Sequence, residues 1–108
     1  MLDKKESFSE KCWDALNLIP KGKVTTYSEL AKHLNTKAFR AVGTAVGKNP
    51  GAPKVPCHRV VRKDGTVGGY AFGTNKKIKL LKSEGIKIKK DKIEDFDLVY
   101  FEFSSRKN

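Results

Sequence analysis

Apolar residues recur at helical spacing near the start of the chain, where Phe8, Cys12, Ala15, Leu16 and Ile19 share one face. Ser7 and Glu10 fit a capping box at the head of this helix, and Pro20 with Gly22 is expected to end it. Trp13 extends the buried side, so Trp13 and Cys12 are assigned to packing. A second capping box, Thr26 and Glu29, opens a short helix with Tyr27, Leu30, Ala31 and Leu34 at apolar spacing. Asn35 and Thr36 make a natural turn, and a third helix runs from about Lys37 or Ala38 to Lys48. Two short helices around a tight turn, preceded by a longer one, form the pattern of a helix-turn-helix.

The third helix is poor in side chain: Ala38, Ala41, Gly43, Thr44, Ala45 and Gly47 leave Arg40 as its projecting residue. Each glycine inside a helix costs about 1 kcal/mol relative to alanine. Two of them imply a need for close approach, either by a neighbouring helix or by a DNA backbone. Next comes a stiff loop, Asn49-Pro50-Gly51-Ala52-Pro53-Lys54-Val55-Pro56, in which the Asn49 amide can bridge backbone groups. Val60 and Val61 predict a short strand, with Lys63-Asp64-Gly65-Thr66 as a hairpin turn returning through Val67. The run Gly68-Gly69-Tyr70-Ala71-Phe72-Gly73 has the character of a pocket wall or lid.

Thr74 or Asn75 is expected to cap a fourth helix that buries Ile78, Leu81 and Leu80 and stops at Gly85. Glu84 then sits in its last turn, where a carboxylate opposes the helix dipole by about 0.3–1 kcal/mol. That penalty calls for a partner, either an imidazole or a nearby lysine. Ile86 and Ile88 alternate with lysines, and residues 98–103 are rich in β-formers, so a small terminal sheet or wing is expected. Residues 104–108 are expected to fray. The fold class is therefore mainly α with a small β wing, a winged helix-turn-helix-like DNA-binding domain spanning residues 1–108 as a single unit.

Charge narrows the choice of partner. Twenty-three basic against 12 acidic residues leave a formal +11, which favours a polyanion and most simply nucleic acid. The lysines at 87, 89, 90 and 92 also resemble a solubilising surface. No apolar run reaches membrane-spanning length, and the N-terminus lacks a signal-peptide core. Two distant cysteines without a C-x-x-C give no sign of a disulfide framework or zinc site, and a four-ligand site would need Cys12, His33, Cys57 and His58 together. No metal or cofactor is expected, the thiols are expected to be reduced, and the location to be cytoplasmic or nuclear and not secreted. The chain is expected to act as a monomer.

Candidate chemistry centres on Val55-Pro56-Cys57-His58-Arg59-Val60. A cysteine attacks as thiolate, which positive neighbours stabilise. Histidine is suited to take the proton near neutral pH. Pro56 limits the freedom of the turn that presents the sulfur. A Cys-His dipeptide alone more often marks a small buried hydrophobe beside a surface histidine, so the wider context decides.

That context is specific. The Pro-Cys-His-Arg signature with its aliphatic flanks and the stretch 24–31 resemble the O6-alkylguanine-DNA alkyltransferases, specifically their C-terminal, DNA-binding and active-site domain. Arg40-Ala41-Val42-Gly43, Asn49-Pro50, Asp64-Gly65, Gly68, Tyr70 and Leu80-Leu81…Glu84-Gly85 add to the likeness, which runs from Phe8 to about Gly85. The resemblance implies that a damaged nucleotide is flipped out of duplex DNA, at a cost of about a few kcal/mol. It implies that Arg40 fills the vacated space and that Tyr27 turns the phosphate and protonates the leaving guanine. Cys57 attacks the alkyl carbon in line, His58 takes the thiol proton through water, Glu84 orients the imidazole, and Asn49 orders the turn. Val60, Gly68, Tyr70 and Ala71 are implied as pocket lining, and Ser28, Ala41, Gly43, Arg59 and Lys63 join Arg40 and Tyr27 on the DNA.

Three departures stand out. No counterpart of the family's usual N-terminal domain is expected within residues 1–108, Ala71-Phe72 stands where many relatives have a hydroxyl or another bulky pair, and Val46-Gly47-Lys48 lacks a long apolar residue that some relatives press against the DNA. The alternative function is that of the alkyltransferase-like proteins, which bind the lesion without transfer and signal to excision repair. They typically carry tryptophan or another residue where this chain has Cys57, and the cysteine favours the enzyme. A generic basic winged-helix binder would leave Asn49, Cys57, His58 and Glu84 unexplained.

Overall fold

A computed structural model of the chain describes residues 7–52 and 54–103. Its helices are α1 (Phe8–Leu16), α2 (Tyr27–His33), α3 (Phe39–Gly47), α4 (Thr74–Ser83) and α5 (Phe96–Val99). The strands are two residues each: β1 (Thr25–Thr26), β2 (Val60–Val61), β3 (Ile88–Lys89) and β4 (Lys92–Ile93). The architecture is thus a mostly helical domain with small sheets, and α2 and α3 form its helix-turn-helix-like unit. Residues 104–108, expected to fray, and Pro53 lie outside the described residues.

The first capping box is complete: Glu10 N–H donates to Ser7 Oγ at 3.1 Å, and Ser7 N–H to Glu10 Oε1 at 3.0 Å. Helix α1 stops at Leu16, before Pro20, because successive i→i+3 bonds tighten the chain and carry Ile19 into the core. Phe8, expected on the buried face, is 37% exposed. Trp13 is half-buried, and its indole N–H donates to the Ala45 carbonyl at 2.8 Å, joining α1 to α3.

The second capping box is only half formed. Thr26 Oγ1 accepts from Glu29 N–H at 3.1 Å, but the buried Glu29 carboxylate accepts instead from Phe103 N–H at 3.0 Å. The turn between α2 and α3 passes through Asn35 at φ 59°, a left-handed conformation that asparagine tolerates. Its Thr36 N–H bonds back to the Ala31 carbonyl at 3.0 Å.

The hairpin expected after Val61 is replaced by a different pairing. The turn at residues 62–66 does close, with Arg62 N–H on the Thr66 carbonyl at 2.9 Å. Strand β2, however, pairs in parallel with β1, Thr25 opposite Val60 and Thr26 opposite Val61. Val67 turns instead to the Asp91 carbonyl, at 2.9 Å. Val60, Val61 and Val67 are all buried, so neither face of β2 is left for solvent. The wing is the β3–β4 hairpin, turned by Lys90 and Asp91 at φ 50° and 63°. Leu98, expected in a strand, falls in α5, and Tyr100 bridges to Val24.

Two apolar clusters result. Leu16, Ile19, Leu30, Val42 and Val60 anchor one, which includes Cys57, and Val24, Val61, Val67, Leu81 and Ile86 anchor the other. Fully burying such a side chain contributes about 1.5–3 kcal/mol. Helix α4 starts after Gly73 with no side-chain cap, which places Thr74 and Asn75 inside it. Among the described residues, no helix is long and apolar enough to cross a membrane.

Candidate functional site

Cys57 begins a 3-10 turn, Cys57–Arg59, that follows Pro56 and leads directly into β2. Asn49 braces the preceding loop from both sides. Its Nδ2 donates to the Val55 carbonyl at 2.6 Å, and its Oδ1 accepts from Gly51 N–H at 3.0 Å. Cys57 N–H bonds to that same Val55 carbonyl at 2.9 Å, so the amide holds the strut on which the cysteine hangs. Cys57 is only 5% exposed and borders a pocket of about 190 Å³. The other walls are Tyr27 of α2, Gly43, Val46 and Gly47 of α3, and Gly69, Tyr70 and Ala71 of the glycine-rich run.

The two residues after the cysteine belong to a largely buried polar group. His58 Nε2 donates to Glu84 Oε2 at 2.8 Å. Glu84 also accepts two bonds from Arg59, Nε at 2.9 Å and Nη2 at 2.8 Å, while Arg59 Nη1 donates to the Ile19 carbonyl at 2.8 Å. Burial pushes the His58 imidazole pKa down, against the opposing pull of Glu84. Burial pushes the Glu84 carboxyl up, but bonds from Arg59 and His58 more than offset this and leave it below its ordinary value. The neutral imidazole therefore carries its proton on Nε2, with Nδ1 as its basic nitrogen. Nδ1 is buried and, among the described residues, has no hydrogen-bond partner. The Tyr70 hydroxyl is in the same condition.

The structure gathers Tyr27, Gly43, Cys57, Tyr70 and Ala71 from separate stretches, and places His58, Glu84 and Asn49 in support. Two expected lining residues are elsewhere. Val60 is wholly buried in the core below, and Gly69 takes the lining position expected of Gly68. Arg59, expected on DNA, has its guanidinium committed to Glu84 and Ile19. Arg40, Ala41 and Lys63 are exposed, and Ser28 is half-buried at the head of α2, its hydroxyl 3.3 Å from Thr26 Oγ1.

The glycines of α3 can now be assigned. A Cβ at Gly43 or Gly47 would meet nothing within 4 Å, so neighbouring helices do not require them. Their bare surface faces the pocket. Burial raises the Tyr27 hydroxyl pKa, the nearby Cys57 adds to this, and Arg62 opposes it.

Lys77 escaped the sequence reading. It is wholly buried, whereas Ile78 and Leu80, expected inside, are only half-buried. Its Nζ donates to the Val60 carbonyl at 2.8 Å and the Gly69 carbonyl at 3.1 Å, tying the strand after the cysteine turn to the pocket wall. Burial lowers its pKa from 10.5 to about 8. The one available signal was its i, i+4 spacing to Leu81, which a stretch crowded with lysines obscures.

A helix-turn-helix-like unit whose second helix, α3, borders a pocket lined in part by a cysteine belongs to the class of small DNA-binding domains. Residues 7–86 match the family described as 6-O-methylguanine DNA methyltransferase, DNA binding domain, and the chain belongs to that family. A methylated-DNA–protein-cysteine methyltransferase of Methanosarcina acetivorans is 51% identical over 79 residues, covering 72% of this chain and 51% of that protein. The chain spans about half or less of the length of such curated relatives. A crystal structure of Mycobacterium tuberculosis OGT in complex with DNA aligns with TM-score 0.71 at 43% identity, over 75% of this chain and 51% of that one. S. pombe Atl1, in complex with damaged DNA containing O6-carboxymethylguanine, aligns with TM-score 0.78 at 27% identity, over 93% of this chain and 99% of that one.

Proposed function

We propose that the chain is a DNA repair protein that moves an alkyl group from O6 of guanine in duplex DNA to Cys57, once per molecule. In this reading the same compact domain binds DNA and carries the active site, and works as a single chain. The observation that carries this reading is that Cys57 lines the pocket and is followed in the chain by His58, whose ring bonds to Glu84. The family's DNA-binding domain and the +11 charge support a duplex partner.

The flipped base enters between α3, bare at Gly43 and Gly47, and the wall formed by Gly69, Tyr70 and Ala71. His58 Nδ1, its ring oriented by Glu84, takes the thiol proton with water as relay. The sulfur attacks the alkyl carbon from behind, a C–S bond forms, and the bond from carbon to O6 breaks. Guanine leaves with the bonding electron pair and takes a proton from the Tyr27 hydroxyl. The proton held on His58 restores Tyr27 through solvent. The thioether product is stable, so turnover ends there. Arg40, exposed near the start of α3, supports the extrahelical state by filling the space left in the stack.

The second reading is a lesion sensor that binds without transfer, favoured by the match to nearly the whole of Atl1. Intact-mass analysis after mixing with an O6-methylguanine duplex separates the two. Transfer raises the mass by one methylene, mapped to Cys57, and Cys57→Ser abolishes it while Cys12→Ser does not. An unmodified protein that binds the lesion tightly supports the sensor.

A further inference from the structure

Of the arginines around the cysteine turn, Arg59 is spent on Glu84 and Ile19, but Arg62 is not. Arg62 is exposed and, among the described residues, has no side-chain hydrogen bond or ion pair. Its backbone is nevertheless fixed. The N–H donates to the Thr66 carbonyl at 2.9 Å, and the carbonyl accepts from Gly65 N–H at 2.9 Å. The side chain lies flat across Gly68, where a Cβ would sit 3.3 Å from its Cγ and 3.4 Å from its Nε. Gly68 has φ +75°, which disfavours any side chain that would displace the arginine. The next residue, Gly69, lines the cysteine pocket. Arg62 is also close enough for its charge to act on the Tyr27 hydroxyl and on Lys77. The nearest acid on its own turn, Asp64, accepts the Thr66 N–H at 3.0 Å and the Thr66 hydroxyl at 2.7 Å on one oxygen, and feels the Arg62 charge without a hydrogen bond to it.

A base seated against Cys57 leaves its sugar and phosphate at the pocket mouth, because the glycosidic bond permits no greater separation. A guanidinium is suited to bidentate contact with a phosphate. We propose that Arg62 is a positioning residue that grips the phosphodiester attached to the flipped nucleotide, engaging DNA only when a base occupies the pocket. This rests on the flipping step of the proposed function and adds to it a cation that acts on the extrahelical state rather than on duplex DNA at large.

The test compares Arg62→Ala and Arg62→Lys with the unaltered protein, using an O6-methylguanine duplex, the same duplex undamaged, and free O6-methylguanine base. Because Arg62 is exposed, its replacement should leave the unfolding midpoint in place. The proposal expects Arg62→Ala to lower lesion-duplex affinity and transfer rate about tenfold and to reduce the salt slope for that duplex by about one. Affinity for undamaged duplex and reaction with free base should each change less than about twofold, and Arg62→Lys should recover part of the loss. Equal losses on damaged and undamaged duplex would make Arg62 a general backbone contact and overturn the proposal. So would a loss with free base as large as that with the lesion duplex, or no loss with the lesion duplex. If the unaltered protein binds the lesion but transfers nothing, the transfer reading fails alone, and the two binding arms still decide the role of Arg62.

Discussion

Lys77 offers the sharpest test of the site's construction, because its burial and its bonds act on stability with opposite sign. The fall of its pKa from 10.5 to about 8 means that holding the ammonium inside costs roughly 3 kcal/mol near neutral pH. Lys77→Met keeps most of the volume and removes that cost. It also strips the donor from the Val60 and Gly69 carbonyls, at about 1–3 kcal/mol each. Near pH 7 these contributions largely offset, and the variant should differ from the parent by no more than about 3 kcal/mol. The difference must then move with pH. Between about 8 and 10.5 the unfolded chain holds a proton on Lys77 that the folded chain has released, so the parent gains stability as pH rises. From pH 7 to 9 the parent should gain about 1–1.5 kcal/mol relative to Lys77→Met, measurable by urea unfolding of both proteins at each pH. Alkyl transfer should slow in the variant, since the pocket wall at Gly69 loses its tie to β2. A stability difference that stays flat from pH 7 to 9 would refute the picture of a buried, depressed lysine.

Glu84→Gln leaves the Arg59 guanidinium without its counter-ion and should cost about 3 kcal/mol in unfolding measurements. Combined with His58→Ala it should slow transfer less than the product of the single effects, whereas strictly multiplicative losses would separate the two residues. On the acid side, His58 contributes its full stability above pH 6.5 and loses it as pH falls toward its lowered folded value, with Glu84 following below 4.5. His58→Gln should therefore flatten the stability curve just below pH 6.5, and an unchanged curve would remove His58 as its source. Arg40→Ala should leave reaction with free base intact while duplex repair falls strongly even at saturating protein; parallel losses would assign Arg40 to the fold. Asn49→Ala leaves the Gly51 N–H without its acceptor and the Val55 carbonyl without its side-chain donor, and should cost about 1–3 kcal/mol while slowing transfer. Full activity with unaltered stability would dismiss the brace.

Local features were legible where a few neighbouring residues decide the outcome. The Ser7–Glu10 box, the Asn35 turn and the Asn49 brace all involve partners within six residues, and each forms as expected. Reading failed where a distant segment offered a better partner. Glu29 leaves its own helix for Phe103, β2 leaves its hairpin for β1, and Arg59 turns inward to Glu84. The Glu84–His58 pairing was legible because an acid at a helix C-terminus is anomalous and invites a partner. Lys77 carried no such anomaly. A lysine among lysines gives no sign that its ammonium faces inward, and only the assembled fold supplies the two carbonyls that hold it.

The family match ends at residue 86, but the folding unit does not. Phe101 N–H donates to the Val24 carbonyl at 2.7 Å, the Phe101 carbonyl accepts from Thr25 Oγ1 at 2.8 Å, and Phe103 stacks on His33 with ring centroids 4.3 Å apart. Together with the Glu29–Phe103 bond, these contacts clasp β1 and α2, the segments that lead into the proposed DNA-facing surface. A fragment trimmed at the homology boundary would therefore be a poor reagent. It would strand the Glu29 carboxylate and the Thr25 hydroxyl in a newly opened hollow, and loosen the very helix it was made to display. Shared ancestry marks the part that relatives have in common, while the physical module extends to the last residue that a buried polar group depends on.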